Sequence, residues 1–139
     1  WAPALQGAGA AYISYFPDLA VPGAPEAVRS FAEVALEHGV RRLVLLSGRG
    51  EEEAQRAERA VQDTGAEVTV VRCAWFMQNF SEGYLLEPIL GGEVVLPADD
   101  QLEPFVNADD IADVPVAALS VDLHICAVYE LRPIIAGGS

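Results

Sequence analysis

The sequence predicts an α/β domain built on a parallel sheet, with helices on both faces in a three-layer α/β/α arrangement. Three observations carry that expectation. Strand-like and helix-like segments alternate along the chain. One of the strand-like runs is apolar without interruption, as strands covered on both faces are. The chain has 139 residues, 52% apolar and 21% charged, enough for one domain with a sizeable core.

The elements follow in order. Residues 10–16 read as a buried strand ending at Pro17, and Pro22, Gly23 and Pro25 make the loop after it. A helix is expected over 24–38, because Val28, Phe31, Ala32 and Ala35 fall at i, i+3, i+4 and i+7. Gly39 sits where a C-terminal cap belongs. Leu43 to Leu46 form the uninterrupted apolar strand, which ends at Ser47. Glu51, Glu52 and Glu53 open a second helix whose inner face is Ala54, Ala57 and Val61, and Gly65 closes it. Residues 67–72 read as a third strand and 78–90 as a helix. A short strand over 93–96 and an acidic loop over 97–104 come next. Asp109 or Asp110 is expected to cap a last helix reaching about Leu119, with Pro115 imposing a kink or a late start. Residues 127–131 read as the final strand. No internal repeat or linker interrupts this pattern, so one domain spanning 1–139 is expected.

Charge and composition narrow the function. The net charge is −13, from 21 acids against 8 bases, so binding to nucleic acid or an anionic membrane is not expected. Every base is arginine, and the absence of lysine removes any mechanism that needs a Lys base, Schiff base or P-loop Lys from this chain. His38, Cys73, His124 and Cys126 lack the paired spacing of a zinc site, and no metal is expected. His124 and Cys126 would share a face if they lay on a strand. The cysteines read as two free thiols in a reducing cytoplasm. No run has the length of a membrane span. The chain begins with Trp1, and a processed product, an excerpt or a truncated reading is expected.

Two strand ends stand out, since open α/β sheets bind ligands at the carboxyl ends of their strands. Ser47-Gly48-Arg49-Gly50 offers a hydroxyl and two glycines that allow close backbone approach; Ser47 reads equally well as a cap of the next helix or turn. Cys73 to Phe80 brings Trp75, Phe76, Met77 and Phe80 beside the amides Gln78 and Asn79, the mix a flat ring and an aromatic substrate need. Cys73 itself has no His nearby in sequence and is not read as a nucleophile. The acids Asp99, Asp100, Glu103 and Glu51 to Glu53 read as solvated. Gly7-Ala8-Gly9 is rejected as a dinucleotide fingerprint, because it precedes a strand and Tyr12 stands in place of the third glycine.

Arg41-Arg42-Leu-Val-Leu-Leu-Ser47-Gly, Ala57-Glu58-Arg59-Ala60, Thr69-Val-Val-Arg72 leading to Phe76-Met77-Gln78-Asn79-Phe80, and Pro104-Phe-Val leading to Asp110-Ile111-Ala112-Asp113-Val114 occur in that order. Together they resemble the NmrA-like branch of the atypical short-chain dehydrogenase/reductases, over about residues 8 to 131. The resemblance implies a partial Rossmann-like, doubly wound sheet. It implies NAD(P) as cofactor, with NADP ahead of NAD, and a small organic substrate. By the same resemblance Pro17, Ser47, Gly48, Cys73, Ala74, Trp75 and Phe76 line the cofactor, while Met77, Asn79 and Phe80 face the substrate. Ser47 is the implied catalytic hydroxyl, a hydrogen-bond donor to substrate or nicotinamide amide. Asp110 to Ala112 match a segment whose role is structural.

The chain departs from the pattern in two ways. The first strands and the glycine-rich phosphate loop of such proteins are not matched. The Tyr-x-x-x-Lys pair is absent, with Gly50 and Ala54 standing near its two positions. The expected function is therefore an NAD(P)-binding protein derived from an NAD(P)H-dependent reductase. The alternatives are a non-catalytic dinucleotide sensor or interaction module, and a nonfunctional remnant of the fold. Without a neighbour for the first strand, an exposed sheet edge and self-association are expected.

Overall fold

The computed structural model describes residues 1–16, 18–74, 81–82, 85–93, 108–120 and 126–131. Among them run α1 (Ala2–Leu5), β1 (Ala10–Ile13), α2 (Ala24–Glu37), β2 (Arg42–Gly48), α3 (Glu52–Gln62), β3 (Glu67–Cys73), α4 (Leu86–Leu90), α5 (Ala108–Ser120) and β4 (Val128–Leu131). The four strands form one parallel sheet in the order β1-β2-β3-β4. The α/β fold class read from the alternation is the one observed.

Register explains which side chains meet. Ile13 lies opposite Leu45, Leu45 opposite Val70, and Val70 opposite Val128. Because side chains alternate along a strand, Leu43, Leu45, Val68 and Val70 all project to one face. There they join Val28, Ala32 and Ala35 of α2 and Ala54, Ala57 and Val61 of α3 in the larger core. The alternate residues Val44, Val71 and Cys73 project to the other face, against Ile111 and Ala118 of α5. Helices thus cover both faces, which is why Leu43 to Leu45 carry no polar residue and are fully buried. Each such side chain contributes about 1.5–3 kcal/mol of burial free energy.

Helix boundaries follow local chemistry. α2 ends in a Schellman motif: the Val40 N–H donates to the Ala35 carbonyl and the Gly39 N–H to that of Leu36. The motif needs a left-handed residue, and Gly39 has φ +79°. β1 stops at Ile13, short of the expected residue 16, where its pairing with β2 ends. Phe16 is 89% exposed, so the aromatic run extends past the strand. α5 begins at Ala108, ahead of both acids expected to cap it and with Pro115 inside it, which leaves a kink as the remaining expectation for Pro115. Asp109 and Asp110 lie inside its first turn instead of capping it, and Pro115 does not delay its start. Cys126 lies in a turn with φ +60°, so it is not on a strand beside His124, whose position lies outside the described residues. Of the expected helix over 78–90, Ser81 and Leu86–Leu90 are described as helical; of the expected strand over 93–96 only Glu93 is described, and it is not in a strand.

Candidate functional site

The carboxyl ends of β1 to β3 lie side by side, and their last residues alternate between the two faces. Ser47 is the register partner of Arg72, and Arg72 of Glu130 on β4. This row lies at the end of the sheet on the α3 face. The Ser47 hydroxyl donates to Glu58 Oε1 at 2.6 Å. Arg72 donates to the same carboxylate through Nε at 2.9 Å and NH2 at 2.7 Å. Its NH1 reaches Glu130 Oε1 at 3.3 Å, and Arg49 Nε stands 3.9 Å from Glu130 Oε2.

Glu58 is 2% exposed. A carboxylate so dry persists ionised only with a cation and hydrogen bonds to hold it, and the two-pronged arginine together with Ser47 supplies both. Arg72 in turn holds its proton more firmly than usual, chiefly because of its hydrogen bonds to Glu58. This network was not read from the sequence, although its signal was present. Glu58 lies on the stripe Ala54, Ala57, Val61, and Arg72 shares a parity with Val68 and Val70. A charge on each of two buried faces calls for the other.

The next row lies on the opposite face. Gly48 is the register partner of Cys73, and the Arg49 N–H donates to the Cys73 carbonyl at 2.9 Å, extending the ladder one step. Cys73 and Ala74 are 5% and 8% exposed, a dry apolar end to β3. Burial pushes the Cys73 thiol up to about 11, so it stays protonated and inert. Tyr12 approaches from β1; its phenol is also raised, first by burial and then by Cys73.

Glu51 departs from the expectation of a solvated first-turn acid. It occupies the N-cap position of α3 without a side-chain capping hydrogen bond. Its carboxyl instead folds back over Gly48, where an added Cβ would lie 2.5 Å from Glu51 Oε2. Gly48 leaves room for this posture, although the Glu51 carboxyl, at the end of a flexible side chain, could move aside for a Cβ. Burial raises the Glu51 carboxyl above its ordinary range, and the negative charges of Asp18 and Glu53 add to the rise.

The sequence-derived residues are thus divided. Gly48, Cys73 and Ala74 come together at the carboxyl ends of β2 and β3. Ser47 faces the other way, with its one hydroxyl hydrogen committed to Glu58. Pro17, Trp75, Phe76, Met77, Asn79 and Phe80 lie outside the described residues. Among the described residues, no three His, Cys, Asp or Glu side chains are grouped to hold a metal. None of the described helices is long and apolar enough to cross a membrane.

A nicotinamide dinucleotide needs a dry wall for its ring and N–H donors in a positive field for its pyrophosphate. The end of β3 offers the wall. The second requirement is not met among the described residues, because α2 carries Glu26 in its first turn and α3 carries Glu52 and Glu53, with Glu51 just ahead.

No protein-family model matches the chain. It is 36% identical over 96 residues to festuclavine synthase II of Penicillium roqueforti, covering 65% of this chain and 33% of that protein. It is 35% identical over 105 residues to agroclavine dehydrogenase of Claviceps fusiformis, covering 70% and 36%. The chain therefore spans about a third of the length of the curated relatives it matches. Among solved structures, a nucleoside-diphosphate-sugar epimerase from Staphylococcus aureus superposes with a TM-score of 0.75 at 19% identity, over 96% of this chain and 50% of that one. The triphenylmethane reductase of Citrobacter sp., solved with NADP(H), superposes with a TM-score of 0.72 at 17% identity, over 94% and 49%. The fold is thus the Rossmann-like α/β fold of these proteins.

Proposed function

We propose that this chain carries the ring-facing and substrate-facing part of an NAD(P)H-dependent reductase crevice of the NmrA-like kind, acting on a small organic substrate. The observation that carries the reading is the 35–36% identity with a clavine dehydrogenase and a festuclavine synthase. The likeness in fold to a reductase solved with NADP(H) supports it. The cofactor supplies hydride chemistry when bound. The chain's own residues supply a dry wall at Gly48, Cys73 and Ala74, and a fixed charge layer behind it. Ser47 enters this reading in a changed role. With its hydrogen donated to Glu58 on the face opposite Gly48 and Cys73, it holds the end of β2 in place from behind the wall and donates nothing to a ligand.

A second reading, binding without turnover, is favoured by the same hydrogen bond and by the absence of lysine. Neither a free hydroxyl donor at Ser47 nor a Lys-assisted acid is available to protonate a reduced product. The discriminating experiment follows loss of NADPH absorbance over a panel of quinones, aldehydes and iminium salts. Turnover of any panel member supports the reductase. Saturable NADPH binding with no turnover across the panel supports the sensor.

A further inference from the structure

Reducing a carbonyl takes a proton as well as a hydride, and most groups at these strand ends cannot give one. The Ser47 hydrogen is donated to Glu58, and the chain has no lysine. Cys73 and Tyr12 hold their protons too firmly, since burial raises both, Cys73 to about 11. Glu51 remains.

Register places it. Gly48 and Cys73 are partners, so a side chain at position 48 would project to the same face as Cys73. The Glu51 carboxyl fills that space, its atoms 2.5 to 2.9 Å from where a Gly48 Cβ would sit. It therefore lies against the Gly48–Cys73 wall, on the side away from the layer of Ser47, Glu58 and Arg72. Among the described residues nothing neutralises it there. Glu51 makes no capping hydrogen bond, and the charges acting on it, Asp18 after β1 and Glu53 on α3, are both negative. Arg72 and Arg49 are drawn instead to Glu58 and Glu130. A partly buried carboxyl among like charges keeps its proton further toward neutral pH, where a general acid works.

We infer that Glu51 is the general acid of this site, and that the substrates are neutral aldehydes or ketones whose oxygen lies over Gly48. The inference rests on the reductase reading above. Hydride adds to the carbonyl carbon, the C=O π pair moves to oxygen, and that oxygen takes the Glu51 proton. One C–H and one O–H bond form, the carbonyl is reduced to an alcohol, and the dihydronicotinamide is oxidised. Glu51 is left as a carboxylate, which water reprotonates. An iminium ion needs hydride alone, because its nitrogen already carries the positive charge that the incoming pair neutralises. Substrates of the two kinds therefore separate proton donation from everything else the site does.

Two measurements test this. The first needs neither cofactor nor turnover: carbon NMR of the side-chain carboxyls, with the Glu51 signal assigned by its loss in Glu51→Gln. Glu51 should titrate above 4.5, and at a lower pH in Glu53→Gln, which removes one of the negative neighbours. Benzaldehyde should shift the Glu51 signal and leave that of Glu58, on the opposite face, in place. A Glu51 signal that ignores benzaldehyde, or a midpoint at or below 4.5, would overturn the inference.

The second compares NADPH-dependent reduction of benzaldehyde and of an N-alkyl iminium salt. Glu51→Gln is expected to lower benzaldehyde turnover at least about 100-fold and to leave iminium turnover within about threefold. Benzaldehyde turnover should also fall as pH rises through the Glu51 midpoint. Thermal melting confirms that the variant folds. Equal losses on both substrates, no loss on either, or a parent chain that reduces only the iminium would overturn the inference and leave the reductase reading standing. A parent chain that reduces neither would overturn both.

Discussion

The Ser47 hydroxyl and the Arg72 guanidinium, direct register partners on adjacent parallel strands, converge on one carboxylate, that of Glu58 on α3. The arrangement ties the next-to-last residues of β2 and β3 to the helix that crosses between them. It fixes the α3 face of the strand ends while the opposite face, at Gly48 and Cys73, stays apolar. Two environments thus lie back to back across one sheet.

Removing the cation from this network should be costly. Arg72→Met leaves Glu58 buried and unpaired, and is expected to lower unfolding free energy by about 3–5 kcal/mol in urea. Arg29→Met breaks a pair of similar distance, Arg29 to Glu33 at 3.0 Å, but with both side chains about half exposed. That change should cost no more than about 0.5 kcal/mol. Equal losses in the two variants would show that the Glu58 pair is no more than a surface contact.

Ser47→Ala removes one hydrogen bond to an ionised acceptor and should cost about 1.5–3 kcal/mol. A loss of that size, measured without any ligand, separates the residue's structural role from a ligand-binding one. An unchanged midpoint would mean that Glu58 does not depend on the hydroxyl.

Glu51 gives stability a pH dependence with a definite sign. Its folded-state value lies above the ordinary 4.5, so in that window the native state binds more protons than the unfolded chain. Its contribution therefore falls as pH rises from about 4.5 through the raised value. Glu51→Gln should melt at a higher temperature than the parent near pH 7, and the advantage should shrink on acidification. A variant that melts lower at pH 7 would place Glu51 in a favourable interaction instead.

The two thiols should differ sharply. Cys126 is exposed, while Cys73 is buried and raised to about 11. A disulfide reagent at mild alkaline pH is expected to label one thiol quickly in the folded chain and the second only on unfolding. Rapid labelling of both would show that the end of β3 is open to water.

Much of the fold was legible because its signals are local. Leu43 to Leu46 announce a doubly covered strand, and the Val28 to Ala35 stripe with Gly39 announces α2 and its Schellman end. Strand length was less legible, since Tyr15 and Phe16 look the same in a strand and in an aromatic loop. The start of α5 was misplaced because Asp109 and Asp110 serve equally as caps or as first-turn acids. At the site, Gly48 and Cys73 were legible as strand ends. The direction of Ser47 was not, because it depends on a partner, Glu58, in another element. The posture of Glu51 was not legible either, because a carboxyl folded back three residues onto Gly48 within one loop leaves no mark in a periodic pattern.

The central claim, that the strand ends hold a nicotinamide dinucleotide, is tested most directly by titrating the chain with NADPH and following Trp75 fluorescence. A Trp1→Phe background removes the second emitter. The account predicts saturable quenching with a midpoint below about 1 mM, equivalent to at least about 4 kcal/mol of binding. Quenching that stays linear to several times that concentration, as inner-filter absorption alone would give, would contradict it.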